Sequence, residues 1–197
     1  MKTLLVCLGL LLSPSGLLLA QNRLSIAPTY WFSYSKYEYP LYSTTPSITK
    51  LPGHDIGSSV GLTLRYQFSP KWDLSAGVLY SKSSSFLTTP QDFELQLTSK
   101  SIRLPLLISY RLSDHRLSPY FSAGALLEKG QNFSDAPLET NALIGVGLDY
   151  RLNSSFSLLV QPTVSYFLGA QTKNPLLLYN HYRDYSVGLQ AQLVWHF

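Results

Sequence analysis

Residues 185–197 alternate strictly: Tyr185, Val187, Leu189, Ala191, Leu193, Trp195 and Phe197 occupy one parity, and Ser186, Gly188, Gln190, Gln192, Val194 and His196 the other. Successive side chains of a strand point to opposite faces. One face is therefore apolar with aromatics near its ends, and the other is mostly small or polar. Seven more segments repeat this pattern. The first covers about residues 23–34 and presents Leu24, Ile26, Pro28, Tyr30, Phe32 and Tyr34; the second, near 58–68, presents Val60, Leu62, Leu64, Tyr66 and Phe68. The third carries Trp72, Leu74, Ala76, Val78 and Tyr80. The fourth, about 93–112, starts with Phe93, Leu95 and Leu97 on one parity and continues with Ile102 to Leu112 on the other. A single extra residue reverses the faces of a strand, so a bulge or break is predicted at 99–101. The fifth, sixth and seventh run over 117–127, 142–152 and 156–168.

The apolar faces carry no charge and no Ser, Thr, Asn or Gln, if the start of the fourth strand is left aside. The opposite faces hold Arg23, Arg65, Gln67, Asp73, Arg103, Arg111, Glu128, Asp149, Arg151, Gln161, Gln190 and Gln192. A water-soluble barrel would place charge outside and fat inside. The reverse arrangement predicts an eight-stranded, up-and-down antiparallel transmembrane β-barrel with lipid around it. Connections alternate between short ones (69–71, 113–116, 153–154) and longer ones (35–57, 81–92, 129–140, 170–184). That asymmetry predicts short periplasmic turns, longer outer loops and periplasmic termini. Pro28, Pro105, Pro119 and Pro162 each remove a ladder donor, and a bulge or kink is expected at Pro105.

Residues 1–20 read as a signal peptide: Lys2, the apolar run Leu4 to Leu12, and an exit at Leu18-Leu-Ala20. Ser13-Pro-Ser-Gly16 interrupts the run, which makes it a poor spanning helix. The barrel then occupies residues 21–197. Its sole cysteine, Cys7, falls within the leader, so the mature barrel would contain no disulfide and no thiolate metal site. A formal charge of +4 is too small to imply nucleic acid, whereas fourteen tyrosines suit the membrane–water boundary.

Eight strands enclose room only for side chains. Arg65, Asp73, Arg103, Glu128 and Asp149 are therefore expected to form an interior ion-pair network, because buried charges must be paired. Inward Gly77, Gly124, Gly145, Gly147 and Gly188 are expected to make space for the arginines. The loops offer Tyr37, Tyr39, Tyr42, Tyr179, Tyr182 and Arg183 as candidate binding residues, a grouping of aromatics and arginine that suits contact surfaces. Alternatively, Tyr39 and Tyr182 extend the barrel wall or its aromatic girdle. Catalysis would need a histidine near a hydroxyl and an acid. His181, Asp184 and Ser186 are one such set and His54 with Asp55 another, though neither spacing forms a specific motif. His196 is expected to make a structural hydrogen bond. No cofactor or metal is implied.

Ser101-Ile-Arg-Leu-Pro-Leu-Leu-Ile-Ser-Tyr-Arg111, followed after a short turn by Ser118-Pro-Tyr-Phe-Ser-Ala-Gly124, resembles the central signature of the small PorT-like outer-membrane barrels of Bacteroidota. Arg103 precedes the leucine–proline pair, so the run is similar without being identical to the family's form. Gly145-Val-Gly-Leu-Asp-Tyr150 is similar to the strand that follows, and Trp195-His-Phe197 to an aromatic end read by the barrel-assembly machinery. The resemblance implies export and architecture, and places some relatives with secretion or other outer-membrane complexes; it names no substrate. The expected role is thus structural or accessory and non-enzymatic, with loops meeting an outer-membrane protein complex, a surface glycan or lipopolysaccharide. A lipid-modifying hydrolase or acyltransferase is the alternative, and a narrow pore the third option.

Overall fold

The computed structural model describes residues 24–41, 49–88, 94–131, 136–171 and 185–197. The predicted signal peptide lies outside them. Eight strands follow one another: β1 (Leu24–Leu41), β2 (Thr49–Ser69), β3 (Trp72–Thr88), β4 (Glu94–Arg111), β5 (Leu117–Gly130), β6 (Leu138–Arg151), β7 (Phe156–Gln171) and β8 (Tyr185–His196). Each pairs antiparallel with its sequence neighbour, and β1 pairs with β8 to close the barrel. Where all eight strands pair, closure leaves no open sheet edge, which is what hydrocarbon requires of a spanning sheet.

Following hydrogen-bonded partners once around fixes the stagger. The path runs Leu24, Tyr66, Leu74, Ile108, Ala123, Ile144, Val164, Val187, and re-enters β1 at Tyr34, ten residues above its start. A stagger of ten over eight strands inclines them by roughly 40° to the barrel axis. The alternation read from the sequence is the alternation of the wall: Val60, Leu62, Leu64, Val78, Ile144 and Leu189 point outward and exposed, while Ser59, Thr63, Leu79, Leu143 and Gln190 point inward and buried. At the short-turn end, Trp72 meets Tyr110 at 4.8 Å and Trp195 meets Phe197 at 4.8 Å on the outer surface. These rings form one aromatic girdle of the kind that sits at headgroup level.

Three local expectations require correction. β4 contains no bulge at 99–101; its pairing with β3 is continuous there, from Leu79↔Arg103 to Thr88↔Glu94. The apolar parity changes for another reason. β5 stops pairing at Ser101↔Gly130, so above that rung β4 continues without β5 beside it. Nor does Pro105 shift the register. The β3–β4 ladder skips two rungs between Ala76↔Leu106 and Leu79↔Arg103 and resumes in phase, while β5 pairs with Pro105 through Leu126. The β1–β8 ladder skips likewise beside Pro28, and the β6–β7 ladder beside Pro162. The missing donor is absorbed in one ladder each time. Register shifts occur instead at Gln67/Ser69 and Thr140/Asn141.

Much of the predicted first and second loops is strand as well. β1 and β2 stay paired to Leu41↔Thr49, and β3 and β4 to Thr88↔Glu94. Strands β1–β4 span 18, 21, 17 and 18 residues, against 14, 14, 16 and 12 for β5–β8. One half of the barrel therefore continues as a wall above the other.

Candidate functional site

The lumen is built in layers. At the short-turn end, Arg65 Nη2 donates to Asp73 Oδ2 at 2.8 Å and to the Tyr120 hydroxyl at 2.6 Å. That hydroxyl in turn donates to Asp73 at 3.1 Å, and the guanidinium carbon lies 5.0 Å from the Tyr120 ring centre. Arg111 pairs with Asp149 alongside. His196 closes this layer, with Nδ1 2.8 Å from Ser25 Oγ and Nε2 2.9 Å from Ser157 Oγ. This is the structural hydrogen bonding expected of it.

An apolar layer of Ala27, Tyr120, Leu159 and Val194 comes next. Above it lies a belt of neutral polar groups. Thr29 and Thr63 hydroxyls are 2.9 Å apart, Gln161 donates to Gln190, and Ser122 donates to Gln161 at 3.2 Å. A second apolar layer then crosses the lumen, made by Trp31, Leu79, Leu107, Leu126 and Leu143, none more than 4% exposed. Trp31 Nε1 is satisfied by Thr163 Oγ1 at 3.1 Å. Burying the indole with its one donor paired fixes this plug without a polar penalty.

The second charged layer sits on that plug. Arg103 Nε is 3.0 Å from Glu128 Oε2, an ion pair too bent to count as a hydrogen bond. Ser101 donates to the other carboxylate oxygen at 2.6 Å. Arg103 Nη1 reaches Ser33 and Ser59, both at 3.3 Å, and its guanidinium lies 5.9 Å from the Trp31 ring centre. Beyond this layer the lumen opens into a polar cup lined by Asp55, Arg103, Glu128, Glu139, Asn141, Tyr185 and Ser186. Its empty space, counted with the open solvent at its mouth, is about 520 Å³. A smaller hollow at the opposite end is lined by Arg65, Asp73, Arg111 and His196. The two apolar layers separate them.

The five interior charges predicted from sequence all face the lumen, but they do not form one network. Arg65, Asp73 and Asp149 belong to the short-turn end, and Arg103 with Glu128 to the cup. The expected reason for the inward glycines also changes. A Cβ at Gly188 would lie 2.5 Å from Trp31 Nε1, at Gly147 2.5 Å from Gln161 Cβ, and at Gly77 2.8 Å from Thr63 Oγ1 and 3.2 Å from the Pro105 ring. Gly145 faces Ser122 and Gln161, and Gly124 abuts the backbone of Leu106. They admit the tryptophan, the glutamine, the proline and close strand contact, not the arginines.

Among the candidate binding residues, Tyr37 and Tyr39 belong to β1, paired with Gly53 and Leu51, instead of lying in a loop. Tyr42, Tyr179, Tyr182 and Arg183 lie outside the described residues, as do His181 and Asp184. Ser186 stands at the cup and donates to the Tyr34 carbonyl at 3.3 Å. His54 and Asp55 are separated by strand alternation. Asp55 turns inward and accepts from Ser85 Oγ at 2.7 Å, while the His54 ring stacks on Phe86 with centres 4.9 Å apart. Adjacent residues of a strand cannot act on one substrate face. The sequence reading missed Trp31, Tyr120 and the leucine layers. Their signal was apolar bulk on the otherwise polar parity.

A closed sheet with an apolar exterior, an aromatic girdle and paired charges within defines an outer-membrane β-barrel. The sequence profile of the outer membrane protein beta-barrel domain matches residues 32–197, and the chain belongs to that family. Its home is the bacterial outer membrane. No match is found among curated proteins. The fold is similar to that of AlkL, solved by solid-state NMR in DMPC bilayers (TM-score 0.58, 13% identity, 90% of this chain and 91% of that one). It is also similar to OprG of Pseudomonas aeruginosa (0.53, 15%, 90% and 97%) and to Neisserial surface protein A (0.50, 11%, 88% and 97%). At such identities the likeness is one of fold.

Proposed function

We propose that this chain is a non-enzymatic outer-membrane anchor that holds a binding surface at its loop end, with its termini and short turns in the periplasm. The observation that carries this is the pairing of a plugged lumen with a built-up rim. The Trp31–Leu79–Leu107–Leu126–Leu143 layer stands across any route through the barrel, while β1–β4 rise above it beside a polar cup. Rigid strands that continue past the membrane suit presentation of contact residues. The partner is an outer-membrane protein complex or a surface glycan, met by the raised wall and the 172–184 segment with Tyr179, Tyr182 and Arg183. Membership of the narrower PorT-like group is part of this reading, supported by residues 101–111 and 118–124. The barrel-assembly machinery would insert the chain.

Native co-purification from outer membranes tests the proposal. The expected result is a stoichiometric partner that is lost when residues 172–184 are replaced by a short glycine–serine linker. A barrel that purifies alone with its loops intact contradicts it. Mass spectrometry of lipids incubated with the purified barrel tests the enzymatic alternative. An altered acyl pattern abolished by His181→Ala would replace binding with catalysis.

A further inference from the structure

The short-turn end of the lumen carries more hydrogen-bond donors than the protein itself uses. Gln67 Nε2 donates to the Pro70 carbonyl at 2.9 Å and closes the β2–β3 turn. That turn sets Lys71 beside Arg111, whose backbone N–H donates to the Lys71 carbonyl at 2.8 Å. Both side chains line the small hollow together with those of Arg65, Asp73 and His196. Its empty space, counted with the open solvent at its mouth, is about 330 Å³. In the orientation proposed above, it opens to the periplasm.

Arginine and lysine heads donate and cannot accept. Arg111 Nη2 pairs with Asp149, while its Nε and Nη1 donate to no described residue and neither is sealed from solvent. The exposed Lys71 ammonium likewise has no partner among the described residues. Asp73 is the one acid in the lining, and both its oxygens are taken, Oδ2 by Arg65 and Oδ1 by the Tyr120 hydroxyl. His196 is occupied through both ring nitrogens, with Ser25 and Ser157. Arg116 is tied to the Arg151 and Leu152 carbonyls, and neither it nor Arg151 lines the hollow. Asp73 offsets Arg65 and Asp149 offsets Arg111, so with His196 neutral the charge left over is that of Lys71. A concave, donor-rich and acceptor-poor surface with one surplus positive charge complements an acceptor with one negative charge. A carboxylate is such a group. Its two oxygens can take a remaining Arg111 N–H and the Lys71 ammonium at once, both as charge-assisted bonds. A phosphate dianion would exceed the charge available.

We infer that this hollow is a binding site for a carboxylate presented from the periplasm, held by Arg111 and Lys71 with the Arg65–Asp73 pair behind them. Only the side of the membrane rests on the orientation proposed above; the donors stand at the short-turn end in either case. Arg111, half-buried and fixed by Asp149, supplies a preset direction. Lys71, on the exposed turn, supplies the surplus charge and closes over the bound group.

The full barrel, isotope-labelled at arginine in zwitterionic nanodiscs, is titrated with sodium acetate while sodium chloride holds the ionic strength constant. The Arg111 Nε–H resonance is followed by NMR. A saturable shift with a Kd on the order of millimolar is expected. Lys71→Gln should weaken binding about threefold, and Lys71→Arg should restore it. Lys82→Gln, on the lipid-facing surface, should match wild type. Heat-dependent gel mobility reports folding, and Lys71 on its exposed turn can be replaced without disturbing a buried pair. Acetyl-alanyl-alanine should bind and its C-terminal amide should not. Tighter binding of that peptide than of acetate places the carboxylate at a chain end, and equal binding places it on a free acid; both uphold the site. A shift no larger than chloride alone gives, or one identical in wild type and folded Lys71→Gln, overturns the site. Inorganic phosphate binding more tightly than acetate overturns the carboxylate as its occupant. Nanodiscs expose both ends of the barrel, so absence of binding removes this site and leaves the anchor reading of the loop end standing.

Discussion

Replacing Arg65 with methionine removes the cation on which the short-turn layer is organised. Asp73 would lose its ion-pair partner at 2.8 Å and keep only the Tyr120 hydroxyl, while remaining buried. A buried charge stripped of its counterion costs about 3–5 kcal/mol. Tyr120 can still donate to the carboxylate, so a loss of about 3 kcal/mol is expected. Asp73→Leu strands Arg65 in the same way and should cost as much. Among the described residues Arg65 Nη1 finds no hydrogen-bond partner, so part of the pair's attraction already offsets desolvation. The double variant Arg65→Met/Asp73→Leu, with two apolar side chains in place of two charges, should therefore regain at least about 2 kcal/mol relative to the sum of the single losses. Urea titration in thin-bilayer vesicles, followed by tryptophan fluorescence and gel mobility, measures each value by linear extrapolation. A single-variant loss below about 1 kcal/mol, or strictly additive losses, would refute the claim that this pair is a coupled, desolvated unit.

Other consequences are equally direct. A Cβ on Gly61 would stand 2.0 Å from the Val78 carbonyl oxygen, so Gly61→Val should sharply lower the folded fraction on gel mobility, while Thr63→Val nearby should leave most of it folded. Val78→Arg puts a charge near mid-membrane on the outer face and should cost about 2–4 kcal/mol in the same urea assay; no measurable cost would remove that face from lipid. In planar bilayers the wild-type barrel should carry no steady single-channel current. Trp31→Gly/Leu107→Gly, which empties the upper plug, should leak; a conducting wild type would contradict the plug.

Period-two alternation made the wall legible, because lipid on one side and packed lumen on the other write opposite chemistry onto neighbouring residues. Arg65 and Asp73, flanking a short turn, were foreseeable neighbours. The layers were not. Which inward residue meets Trp31 depends on the ten-residue stagger accumulated around eight strands, and parity carries no record of stagger. That is why Thr163, 132 residues away, receives the indole hydrogen bond, and why one expected ion network is two. β4 misled for a related reason. Leu97 occupies the inward parity above the last β5 rung, so no bulge is needed to explain an apolar residue there.

Site-directed spin labelling in bilayers probes the central point with least inference. Nitroxides placed singly through Leu62→Cys, Ile144→Cys and Leu189→Cys are expected to collide readily with dissolved oxygen and hardly at all with an aqueous nickel chelate. Labels at those three sites that the chelate reaches freely in the folded, inserted protein would contradict a lipid-facing wall.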